Sequence, residues 1–236
     1  MTGWIILGGV LLLLMLGGHW LMRRAEAANR ADWGGKWHNR IDGLNRLFLR
    51  HYHHCRIDTI PLPESGPALV VANHVSGLDP LMLAAACRRP LHFIIATEEY
   101  HRFGLRWLFR LAECIPVDRA SRDDSAFRAA LQALHDGKVV GLFPGGRIHL
   151  PEDGPPRLKR GVARLSRLSG APIYPAVVSG VRKPGHVLSA VLFPGQARLR
   201  SFPPIDCTEL EERACLERLG DILHEPVETD NSSTDS

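Results

Sequence analysis

Val70-Val71-Ala72-Asn73-His74-Val75-Ser76-Gly77-Leu78-Asp79-Pro80 joins a short apolar strand to the apolar run Leu81-Met82-Leu83-Ala84-Ala85-Ala86. The turn between them carries a histidine and an aspartate. Ser76-Gly77 lets the chain fold back, so the carboxylate can reach one imidazole nitrogen and leave the other facing outward as a base. A hydroxyl held there would lose its proton and attack a carbonyl. No nucleophilic serine accompanies the pair, which suggests direct transfer to a bound acceptor rather than a covalent enzyme intermediate. A plainer reading of the same residues also stands. Asp79-Pro80 is a good helix N-cap followed by proline at the first helical position, and Asn73 and Ser76 are ordinary turn residues.

Outward from this stretch, strands and helices alternate. Residues 69–72, 92–96, 114–117, 139–143 and 173–178 read as strands. Helices are expected from Pro80, around Leu105–Leu111, over 124–135 with Gly137 as the C-terminal cap, over 161–168 and over 209–223. Residues 187–193 and 197–202 read as an antiparallel hairpin around Pro194-Gly195. The expected fold is α/β, a mixed β-sheet flanked by helices. Ligands in such sheets gather beyond the strand ends, and His74, Arg119 and Pro144-Gly145-Gly146 all follow predicted strands.

The N-terminus adds a membrane-anchoring helix to this fold. Residues 3–22 contain no Asp, Glu, Lys or Arg. Twenty residues at about 1.5 Å each give roughly 30 Å, the thickness of a bilayer core. Nothing basic precedes the run and Arg23-Arg24 follow it, which places the body of the chain on the cytoplasmic side. A signal peptide or a buried helix is the alternative. Trp37, Ile41, Leu44, Leu47 and Phe48 recur at helical spacing among Lys36, Arg40, Arg46 and Arg50. This segment fits a helix lying on an anionic membrane surface, and equally one packed on the domain. The expected organisation is an anchor over residues 1–24, an amphipathic membrane-facing segment over 25–56, a globular domain over 57–224 and a disordered tail over 225–236.

At 236 residues, with a net charge of +4, the composition suits one domain and mildly favours an anionic partner. The five cysteines are odd in number and lack a C-x-x-C pair, so free thiols in a reducing compartment are expected. His51-Tyr52-His53-His54-Cys55 has no second ligand cluster, and no metal is expected.

Four blocks in order resemble the glycerolipid acyltransferase family typified by 1-acylglycerol-3-phosphate acyltransferase. They are Asn73-His74 through Asp79-Pro80, Ile115-Pro116-Val117-Asp118-Arg119, Phe143-Pro144-Gly145-Gly146-Arg147-Ile148 and Ile173-Tyr174-Pro175-Ala176. Leu158-Lys159-Arg160-Gly161 resembles the basic segment between the last two. The resemblance implies a membrane-bound enzyme that moves a fatty acyl group from acyl-CoA or acyl carrier protein to the hydroxyl of a lysophospholipid. No cofactor beyond that co-substrate is implied, and no nucleic acid. It implies His74 as general base, Asp79 as its orienting partner, Arg119 as a clamp on phosphate, and Asn73, Gly145, Gly146 and Arg147 at the substrate.

One position departs from the family. Gly145 stands where the third block normally carries glutamate. This weakens acceptor binding and leaves open another lysolipid, glycerol 3-phosphate or an aminolipid as acceptor. It also admits a non-catalytic lipid-binding protein of the same fold. Gly145-Gly146 would still leave backbone N–H groups free to approach an anion.

Overall fold

The computed structural model describes residues 2–101, 106–117, 124–154 and 157–224. The chain opens with α1 (Thr2–Ala28) and α2 (Lys36–His51), then runs β1 (Arg56–Ile57), β2 (Ala68–Ala72), α3 (Asp79–Ala86), β3 (Leu91–Ala96) and α4 (Thr97–Tyr100). It continues through α5 (Arg106–Leu111), β4 (Ile115–Val117), α6 (Ser125–His135), β5 (Val139–Leu142) and α7 (Gly161–Ser169). It closes with β6 (Ile173–Ser179), α8 (Leu188–Leu192), β7 (Arg198–Ser201) and α9 (Glu212–Leu223).

Among the described residues the seven strands form one sheet in the order β1-β7-β6-β2-β5-β3-β4. The five strands from β6 to β4 are parallel, and β7 pairs antiparallel with β6, so the sheet is mixed. All of β2 is buried, and its side chains alternate between two cores. Ala68, Val70 and Ala72 join Leu49, Met82 and Leu83 from α2 and α3. Leu69 and Val71 join Leu134, Leu165 and Leu219 from α6, α7 and α9. A strand covered on both faces needs apolar residues at every position, which is why β2 reads as a continuous apolar run.

α1 is long and apolar enough to cross a membrane over Ile6–Ala28, and residues 6–21 of it are exposed while Ala25 is buried. Its other end is fixed. A Cβ on Gly43 would lie 1.8 Å from the carbonyl oxygen of Ala25, so only glycine lets α2 cross α1 this closely.

Several sequence expectations need correcting. Arg46 does not face a membrane surface. Its side chain is 12% exposed and bonds Asp42 at 2.6 Å and the carbonyl of Cys87 at 2.7 Å, satisfying the C-terminal end of α3. Residues 187–193 are not a strand. Leu188–Leu192 form α8, whose Val191 and Leu192 carbonyls meet His53 Nε2 at 2.9 Å and the Tyr52 hydroxyl at 2.6 Å instead of a neighbouring strand. Cys207 and Cys215 are not free. The chain turns between them so that their Cα atoms lie 5.6 Å apart, within disulfide reach, and they are bonded. Cys55, Cys87 and Cys114 are free thiols, and burial pushes Cys87 up to about 12. The tail over 225–236 lies outside the described residues.

Candidate active site

β2 and β5 run parallel, so the turns that follow them emerge at the same edge of the sheet. One delivers His74 and the other Phe143 to Arg147. Asn73 ends β2, and both ends of its amide are used. Nδ2 donates to the Val178 carbonyl at 2.8 Å, and Oδ1 accepts from the Val178 N–H at 2.7 Å. Asn73, expected at the substrate, lines the cleft beside His74 but binds β6 to β2 with its polar atoms. The His74 carbonyl accepts from the His149 N–H at 2.8 Å, which ties the histidine's backbone to the loop after β5.

The His74 ring is held on two sides. Nδ1 lies 2.9 Å from Asp79 Oδ2, and Phe143 stacks on the ring at 4.1 Å between centroids with 14° between planes. The side chain remains 20% exposed. With Nδ1 turned to the carboxylate, Nε2 is the nitrogen available to a substrate.

Asp79 is fully buried, so its charge needs partners. Oδ2 also accepts from the backbone N–H groups of Val75 at 2.6 Å and Ser76 at 2.8 Å. Oδ1 accepts from the Ser76 hydroxyl at 2.6 Å, and that hydroxyl accepts from the Leu78 N–H at 3.1 Å. The N-cap reading of Asp79 therefore fails. It is the first residue of α3, no side chain caps that helix, and its carboxylate points back into the turn. The carboxylate oxygen facing Nδ1 accepts its N–H, which leaves the lone pair of the ring at Nε2.

The cleft beside His74 is narrow, about 10 Å³, and Gly145, Arg147 and His149 line it with Pro144. The expectation of free N–H groups at Gly145-Gly146 is half corrected. The Gly146 N–H is taken by the Phe143 carbonyl at 2.9 Å, closing the turn. Gly146 is its left-handed residue, φ 73°. A Cβ there would also meet Lys159 Nζ at 2.7 Å, so the ammonium sits against the glycine. Arg119 lies outside the described residues. β4, which precedes it, runs parallel to β3 and ends at Val117 on the same edge of the sheet as His74. Sequence reading took Ser76 for a turn residue and gave Phe143 and His149 no role at the site. A serine three residues before an aspartate was the only local signal for the first.

The chain is similar to known acyltransferases. The acyltransferase family model matches residues 53–179, more than half the chain. A 1-acyl-sn-glycerol-3-phosphate acyltransferase of Bacillus subtilis is 26% identical over 120 residues, 50% of this chain and 59% of the relative. An N-acylphosphatidylethanolamine synthase of Arabidopsis thaliana is 29% identical over 126 residues, 49% of this chain and 44% of the relative. The chain thus spans 44–59% of the length of these curated relatives. The crystal structure of the 1-acyl-sn-glycerophosphate (LPA) acyltransferase from Thermotoga maritima shares the fold, with a TM-score of 0.63 at 20% identity over 89% of this chain and 88% of that one. With the family model covering β1 to β6, the His74 turn and the turn after β5, the chain belongs to the acyltransferase family.

Proposed function

We propose that this protein is a membrane-attached acyltransferase that moves a fatty acyl group from a thioester donor to the free hydroxyl of a lysophospholipid, 1-acylglycerol 3-phosphate being the acceptor best supported. The observation that carries the reading is the 2.9 Å contact between His74 Nδ1 and a buried Asp79 at the end of β2. His74 Nε2 takes the acceptor's hydroxyl proton as the oxygen bonds the thioester carbonyl carbon. The C–S bond then breaks, and the imidazolium returns the proton to the leaving thiolate. Asp79 holds the ring and stabilises its charged form. Arg119 is assigned to the acceptor phosphate on the family resemblance. Arg147, beside His74, adds positive charge to the same cleft.

Membrane attachment rests on α1. Leu13, Leu14 and Met15 are each about 70% exposed, a face that only lipid would cover. Arg23 and Arg24 support a cytoplasmic catalytic domain. Lys36, Trp37 and Arg50 are exposed on α2, basic and aromatic groups suited to the membrane interface.

A second reading, transfer to an amine-bearing lipid, is favoured by the similarity to the N-acylphosphatidylethanolamine synthase of Arabidopsis thaliana and by Gly145 in place of the family's glutamate. The test is acyl transfer by the purified full chain in detergent, with labelled acyl-CoA offered lysophosphatidic acid or an aminolipid. Label should enter phosphatidic acid in wild type and not in a folded His74→Ala variant. A folded wild type that labels neither acceptor overturns the enzymatic reading in favour of a lipid-binding protein.

A further inference from the structure

A second cavity among the described residues lies apart from the cleft at His74. It is a groove of about 1170 Å³ between the segment leading into α7 and the outer side of α9. Leu158 and Leu216 give it an apolar lining, and Gly220 packs against Leu158. Its rim is basic: Arg157, Lys159, Arg160, Arg167 and Arg213, with His224 at one end.

Glutamates also line the groove, and the pairing decides what charge is left. Arg160 meets Glu212 at 3.5 Å, and Arg213 meets Glu217 at 2.7 Å. Among the described residues Arg157, Lys159 and Arg167 have no ion-pair partner. Against these three cations stands only Glu211. The open charge is therefore positive, and two of its three carriers are guanidinium groups, which match phosphate oxygens in a two-pronged contact.

The groove adjoins the catalytic cleft. Leu158 lines both. Leu223 lines the cleft, and its neighbour His224 lines the groove. Lys159, on the groove rim, reaches back to Gly146. The groove also lies on the far layer of the sheet. α7 and α9 pack on one face, while α2, which carries the apolar α1, packs on the other. A lipid acceptor delivered from the α1–α2 side and a water-soluble donor delivered from the α7–α9 side would then meet at the shared strand ends.

We propose that this groove binds the nucleotide end of an acyl-coenzyme A donor, with its phosphates on Arg157, Lys159 and Arg167 and its arm running past Leu158 to His74. This rests on the acyl-transfer reading above and adds the donor to it. The shape selects the small nucleotide over a carrier protein. A concave groove of this size suits a small molecule, whereas a protein partner needs a broad complementary face of roughly 800 Å².

The probe is adenosine 3′,5′-bisphosphate, which carries coenzyme A's nucleotide phosphates without the arm or the acyl group. Calorimetry on the full chain in detergent should show binding that weakens as salt rises. Arg157→Glu/Arg167→Glu should weaken it by roughly 10- to 100-fold. Arg157→Gln/Arg167→Gln, which adds no carboxylate, should weaken it by less. Arg182→Glu, on an exposed residue outside the groove, should leave it unchanged. In turnover the double reversal should raise KM for acyl-CoA by a similar factor and leave KM for the lysolipid unchanged.

Absence of binding by the wild type overturns the proposal, as does equal loss in Arg182→Glu. So does a double reversal that binds normally, or turnover with acyl carrier protein alone. The two readings fail separately. Binding that follows the pattern above without any acyl transfer would sink the enzymatic function and leave a coenzyme A site. Acyl transfer whose KM for acyl-CoA ignores the reversals would sink the groove and leave the function.

Discussion

The Ser76 hydroxyl donates to Asp79 Oδ1 at 2.6 Å in a fully buried turn, and the same carboxylate holds His74 through its other oxygen. The serine therefore positions a residue that positions the base. Ser76→Ala leaves Oδ1 without a donor and the Leu78 N–H without an acceptor. A lost hydrogen bond to a buried charged group costs about 1.5–3 kcal/mol. We expect Ser76→Ala to lower both thermal stability and kcat, with KM for the lysolipid unchanged. Asp79→Asn is the cleaner probe of charge. Its amide oxygen can keep the Val75 and Ser76 N–H bonds while its NH2 faces the Ser76 hydroxyl. The fold should hold, and kcat should fall by about 10²-fold or more as the imidazolium loses its counter-charge. Circular dichroism beside steady-state kinetics checks both variants. An Asp79→Asn protein with unimpaired kcat would remove the carboxylate from the mechanism.

Arg46 joins α2 to α3. It pairs with Asp42, which is 6% exposed on α2, and donates to carbonyls at the end of α3, including Cys87. Removing the guanidinium leaves a buried carboxylate unpaired, which typically costs about 3–5 kcal/mol. Arg46→Ala should show that loss in urea unfolding, with Arg46→Lys intermediate because an ammonium cannot reproduce the fork. Unchanged stability with weaker vesicle binding would return Arg46 to the membrane-surface role its place in the sequence suggested.

His92 makes stability depend on acidity. Burial, with Lys138 nearby, holds its pKa below the ordinary imidazole range, against the opposing pull of Glu113. In the unfolded chain the same side chain titrates near ~6.5. As pH falls, the unfolded state therefore takes up the proton first. His92 contributes fully above about 6.5 and loses that contribution as pH drops through the lower folded value. Unfolding free energy measured at mildly alkaline and mildly acidic pH should fall more in wild type than in His92→Phe. Equal slopes would mean that another group, such as the Glu113–Lys138 pair at 2.6 Å, controls the acid limb.

The residues that were legible in the sequence are those whose local pattern has one physical cause. β2 is apolar throughout because both faces are covered, and Gly137 sits just past α6 at φ 76°, as a terminating glycine should. His74 and Asp79 were legible because a short turn fixes their distance. Illegible residues depend on partners far along the chain. The amide of Asn73 is used by Val178, 105 residues away, and no local pattern reveals that. Residues 187–193 are a short apolar run, which fits strand or helix equally until its surroundings are known. Here the backbone of Val187 is packed against Gly77, where a Cβ would lie 2.4 Å from the Val187 carbonyl oxygen, and β7, the expected hairpin partner, is flanked by β1 and β6.

Gly145 is the position where this chain departs from the family pattern, and the structure sharpens what restoring glutamate should do. Gly145 lines the cleft beside His74 and Arg147. The left-handed residue of the turn is Gly146, and it is Gly146 that abuts Lys159. A side chain at 146 would meet both backbone strain and the ammonium, so Gly146→Glu should lower stability and activity together. Gly145→Glu changes the residue just before that constraint. A carboxylate there would accept hydrogen bonds from acceptor hydroxyls, a charge-assisted contact of roughly 1.5–3 kcal/mol. At about 1.4 kcal/mol per decade this is roughly 10- to 100-fold in kcat/KM. We expect the gain with phosphate-bearing lysolipids. Steady-state kinetics of wild type, Gly145→Glu and Gly146→Glu on lysophosphatidic acid, with melting temperatures alongside, separate the cases. A stable Gly145→Glu protein with unchanged or lower kcat/KM would mean that this glycine is adapted to a different acceptor, and the aminolipid would then be the substrate to test first.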